Sequence, residues 1–141
     1  MNLITAHSLK FLKIFTIGTL LTGIYLHLSR LVFGMDNFQH YLFTPLFDIL
    51  FAIPMVVAGI LQIAFIKKIA WKNKVERIIF YLCTFQFIVS IPLHIRAFIV
   101  GSTDYVRSFP PAYSIIVTVM WSFFIYVFIS LNKWQLKIRQ L

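Results

Sequence analysis

Seven side chains in this sequence have the chemistry to do more than pack: His27, Arg30, Asp48, Gln86, Ser90, His94 and Arg96. Histidine is a general acid or base and a metal ligand near neutral pH. Arginine offers a planar fork to carboxylates and phosphates. An aspartate beside either group is a counter-ion or an orienting acceptor. "LTGIYLHLSRLVFG" (21–34) and "IPLHIRAFIVG" (91–101) each close a long apolar run with a histidine, an arginine and then a glycine. Ionisable groups inside apolar segments cost several kcal/mol and usually face a bundle interior with a partner. These two stretches are therefore the candidate site.

The elements that must position them are membrane helices. Hydrophobic residues make up 60% of the 141 and charged residues 12%, with sixteen Phe, six Tyr and three Trp. A soluble domain of this length has no interior large enough for that much apolar surface. Four segments, 14–33, 46–66, 78–100 and 112–131, reach the roughly 20 residues needed to cross the hydrocarbon layer. The run after Lys10 and Lys13 is too long for a signal peptide and lacks a small-residue cleavage pattern. The expected fold is an all-α integral membrane protein, a bundle of four transmembrane helices forming one domain. Cys83 is the single cysteine, which excludes an intrachain disulfide and two-thiol chemistry within one chain.

Charge predicts the orientation. Ten of the thirteen Lys and Arg fall at the N-terminus (Lys10, Lys13), between the second and third helices (Lys67, Lys68, Lys72, Lys74, Arg77) and in the tail (Lys133, Lys137, Arg139). The positive-inside rule puts these regions, and both termini, in the cytoplasm. The net charge of +9 then resides on that side. "KKIAWKNKVER" (67–77) carries no nucleic-acid motif, and its expected partners are anionic inner-leaflet lipids. Arg30, Arg96 and Arg107 face Asp36, Asp48 and Asp104 on the outer side.

The halves of the chain resemble each other. Shifted by 67 residues, His27 falls on His94, Gly34 on Gly101 and Phe38 on Tyr105, and a further slip of one aligns Phe43-Thr44-Pro45 with Phe109-Pro110-Pro111. This predicts two tandem helical hairpins, a parallel pseudo-repeat about an axis normal to the membrane. Each hairpin would have an outer loop (34–45 and 101–111) followed by a helix begun by proline, with Thr44 as a cap. Pro54 and Pro92 fall inside spans and are expected to bend them.

Each predicted helix also carries a smaller, more polar stripe: Thr16, Thr19, Gly23, His27, Arg30 and Gly34; Asp48, Ala52, Met55, Gly59 and Gln62; Cys83, Gln86, Ser90 and His94; Ser114, Thr118, Ser122, Tyr126 and Ser130. Steps of three and four keep each set on one face. Serines, threonines and glycines there suit helix packing. His27 lies about 9 Å inside the outer helix end, while Arg30 and Arg96 are near enough to snorkel. The reading that follows is an outward-facing cavity lined by His27, Arg30, Asp48, Gln86, Ser90, His94 and Arg96. It would bind a small polar or anionic solute or lipid, and transport through so narrow a bundle would call for a homo-oligomer.

Two alternatives use the same residues. His27 and His94 on parallel helices are suited to hold one haem b in an electron-transfer protein, with Arg30 and Arg96 at its propionates. Joined by Asp48, the same histidines also make a weaker three-ligand metal set. A membrane enzyme acting on a lipid or isoprenoid would instead use His27 or His94 as base, Asp48 as orienter and the arginines on phosphate. No recognisable catalytic motif accompanies them.

Overall fold

Prolines set two of the four helix starts. The computed structural model describes residues 3–41, 45–100 and 110–131 of the chain. Among them are four helices and no strand: α1 (Leu3–Tyr41), α2 (Pro45–Phe65), α3 (Lys74–Val100) and α4 (Pro111–Ser130). Pro45 and Pro111 open α2 and α4, where a missing N–H leaves no intrahelical bond unmade. Tyr113 N donates to Pro110 O at 2.9 Å in the first turn of α4. Pro54 and Pro92 are accommodated within helices that run on through both. Thr44 and residues 101–109, including Asp104 and Arg107, lie outside the described residues.

α1 overruns the expected segment 14–33 at both ends, beginning at Leu3. The stretch from Gly34 was expected to be loop, yet α1 continues to Tyr41, giving a helix of 39 residues. At 1.5 Å per residue that is about 58 Å, longer than a bilayer with its headgroups. A single glycine costs a helix only about 1 kcal/mol, and nothing before Pro45 forbids the helical conformation. Gly34 is a passing glycine within a helix that runs on to Tyr41.

The four helices form a ring in chain order. α2 packs most closely on α3 and α1 on α4, while α1–α2 and α3–α4 touch more lightly. The α2–α3 connection is a short basic turn. Asn73 caps α3, its Oδ1 accepting the Glu76 N–H at 2.8 Å. Trp71 sits against Phe80 (4.9 Å between centroids) and Tyr81, and Ile69 is buried. Lys67, Lys68, Lys72, Lys74 and Arg77 all project outward from this end.

Large apolar side chains divide between an interior and an apolar exterior. Phe80, Phe87, Phe124, Phe128, Leu20 and Met55 are fully buried, and Phe80 stacks on Phe128 at 5.1 Å. Leu21, Ile60, Phe85, Phe123 and Ile129 are exposed. An apolar outer surface of this extent is what a lipid environment covers. His7–Ser29, Lys74–Arg96 and Ala112–Ser130 are long and apolar enough to cross a membrane, and Leu50–Phe65 is a shorter apolar helix.

Candidate functional site

The α1–α4 seam is pinned at three levels. Near the basic end, Lys13 Nζ donates to Ile129 O at 3.0 Å and also to Leu131 O. These are carbonyls that the end of α4 leaves without intrahelical donors, and the ammonium also meets the negative end of the helix dipole. At mid-helix, Gly23 lies under the indole of Trp121. A Cβ on Gly23 would fall 1.7 Å from Trp121 Cζ3, so no other residue fits there without moving the ring. One turn further along, His27 Nδ1 and Ser114 Oγ share a hydrogen bond of 3.2 Å. The edges and faces of Tyr113 (5.8 Å) and Trp121 (5.7 Å) enclose the same imidazole.

The α2–α3 seam holds the rest of the polar set. His94 is half-buried and meets Phe51 edge-on at 5.6 Å. Gln86 Nε2 donates to Ser90 Oγ at 3.2 Å, a pairing of neighbouring turns on α3. Further toward the basic end, the buried Thr84 Oγ1 donates to Gln62 Oε1 at 2.8 Å and lies 3.0 Å from Phe80 O. Gly59 is buried against Phe87, with ordinary room for a methyl group, 3.8 Å from Phe87 Cβ.

The predicted site residues are thus placed unequally. Gln86 and Ser90 are brought together, His27 joins Ser114, and Arg96 is exposed. The side chains of Arg30 and Asp48 lie outside the described residues, as does that of Asp36. His27 meets Ser114, Tyr113 and Trp121 on α4, and His94 meets Phe51 on α2. Phe87 of α3 and Trp121 of α4 approach to 6.5 Å between ring centroids. Among the described residues no three His, Cys, Asp or Glu gather as a metal would need.

The polar stripes hold for three helices and half of the fourth. Thr16, Thr19, Gly23, Ala52, Met55, Gly59, Gln62, Cys83 and Ser90 are all buried. On α4, however, Ser122 and Tyr126 are exposed, and the inward face runs Ser114, Val117, Trp121, Phe124, Phe128. Ser122 Oγ donates to Thr118 O at 2.8 Å. A hydroxyl that satisfies its own backbone is free to face lipid, so serine spacing is a poor guide to the interior. The residues missed by that reasoning are Lys13 and Trp121, while Ser114 is inward as its stripe predicted. The one available signal was Gly23, whose missing side chain needs a large partner opposite.

Fold and site together define a four-helix bundle with an apolar exterior, membrane-like in three helices and polar at points within. No protein-family model, curated protein or solved structure matches the chain.

Proposed function

We propose that this is a multi-pass membrane protein whose outer half binds a small polar or anionic solute or a lipid headgroup, and that transport of this ligand is the activity such a site would serve. The carrying observation is the His27–Ser114 pair, an ionisable ring held half-buried across two helices of an otherwise apolar bundle. Such a group within a membrane helix marks a functional site in preference to an ordinary packing position. Gln86, Ser90, His94 and Arg96 supply further donors along α3 toward the same end. Both termini and the basic turn then belong to the cytoplasmic side, where Lys67, Lys68, Lys72, Lys74 and Arg77 meet anionic lipids. On this reading, the recurrence of His27 and His94 at a spacing of 67 is an internal repeat that gave each hairpin one half of the site.

Native mass spectrometry of the protein released from a mild detergent tests it. A retained small-molecule or lipid adduct, lost in His27→Ala and in Arg96→Gln while the bundle stays folded, is the expected result. Lipid adducts vary with the host's lipid composition and free anions with the buffer, which separates the two sources. Bare protein in every preparation would refute the binding reading. A Soret band on the purified protein would replace it with the haem alternative.

A further inference from the structure

The middle of the bundle contains polar atoms that its packing leaves unpaired. Gln62 is fully buried, and its Oε1 accepts from Thr84, but its Nε2 has no oxygen or nitrogen acceptor, only the weakly accepting sulfur of Cys83. Trp121 is 3% exposed and its Nε1 is likewise unpartnered. So are the hydroxyls of Thr16, which is fully buried, and of Thr118. Amide Nε2 and indole Nε1 are donors only and require an acceptor. Leaving them dry in a lipid-surrounded interior is costly, and an apolar side chain of similar size would avoid the cost.

These atoms follow one another along the bundle axis. Trp121 lies over Gly23 and near Phe87. Thr84, which holds Gln62, is three residues from Phe87 on α3, about 4.5 Å along the axis. Thr16 is eleven residues from His27 on α1, about 16 Å. Polar groups therefore recur from the His27–Ser114 pair past Thr118 and Trp121 to Gln62 and Thr16.

We propose that ordered water occupies this line, accepting hydrogen bonds from Trp121 Nε1 and Gln62 Nε2 and making the core a hydrated site distinct from the outer-half one. Water suits these donors because it can offer two lone pairs while donating to the threonine hydroxyls. Buried waters with two to four such partners are ordinary constituents of protein interiors.

The test is nuclear magnetic resonance of the full chain in micelles, with tryptophan nitrogens labelled. Trp121→Phe assigns the indole, or Trp71→Phe and Trp134→Phe do so by elimination. The expected result is a cross-peak between the Trp121 indole N–H and water in the wild type. In Gln62→Met that peak weakens and the thermal midpoint falls. A Trp121 indole with no water cross-peak, or a Gln62→Met protein with a raised midpoint, overturns the hydrated core. Neither measurement depends on whether an outer ligand is bound.

Discussion

The two principal seams of the bundle solve the same packing problem from opposite starting points. α2 and α3 are neighbours in sequence, joined by the turn over 66–73, so closing the loop between them costs little. Their contact combines apolar packing with the buried Thr84–Gln62 hydrogen bond, and a methyl group at Gly59 would meet Phe87 at ordinary contact distance. α1 and α4 lie at opposite ends of the described chain, and the residues that join them are 87 to 118 positions apart. Their register is written in particular contacts: Lys13 on the last carbonyls of α4, Gly23 under Trp121, and His27 on Ser114. A seam without a short connection has its alignment set by side chains. A connected seam inherits it from the turn.

Glycine substitutions give the widest test of that contrast. Gly23→Ala forces a methyl group into the Trp121 ring and is expected to cost about 1–3 kcal/mol, the range for overpacking. Chemical or thermal unfolding in detergent measures it, and Trp121→Leu in the same chain should recover part of the loss. Next comes Lys13→Met, which strips two carbonyls at the end of α4 of their charged donor. We expect a loss of about 1 kcal/mol, discounted because the ammonium is partly exposed. Increased hydrogen exchange confined to the last turn of α4 would locate the effect. A double-mutant cycle of His27→Ala and Ser114→Ala should show a coupling of about 0.5–1 kcal/mol. Zero coupling would remove that contact from the register. Smallest of all is Gly59→Ala on the other seam, where the methyl meets Phe87 at ordinary distance. It is expected to be neutral or to stabilise by up to about 1 kcal/mol through helix propensity. If Gly59→Ala cost as much as Gly23→Ala, the two seams would not differ as described.

What the sequence showed and what it concealed divide along similar lines. Apolar length and the two prolines, Pro45 and Pro111, located the helices, because both act locally. The stripes through Gly23, Gly59, Gln62 and Ser90 pointed inward because a small or polar residue in so oily a helix has few reasons to be elsewhere. Ser122 misled because a hydroxyl that bonds its own helix carries no information about direction, and Tyr126 misled because it is mostly ring and lies exposed. Gly34 misled for a related reason, since one glycine neither ends a helix nor needs to. The pairing of His27 with Ser114 in particular could not be read at all. It depends on which helices become neighbours, and that is a property of the assembled ring.

The reach from Lys13 to Ile129 also bears on how the protein is made. The two groups are 116 residues apart, and at 5–20 residues per second a ribosome needs roughly 6–23 s to deliver the second after the first. For that interval Lys13, Gly23 and His27 of α1 lack the helix that completes them. α2 and α3 emerge next and can pair at once, so α4 arrives as the closing stave of a barrel whose first stave has stood open throughout. Whatever shelters α1 during that wait is as much a requirement for this bundle as any contact within it.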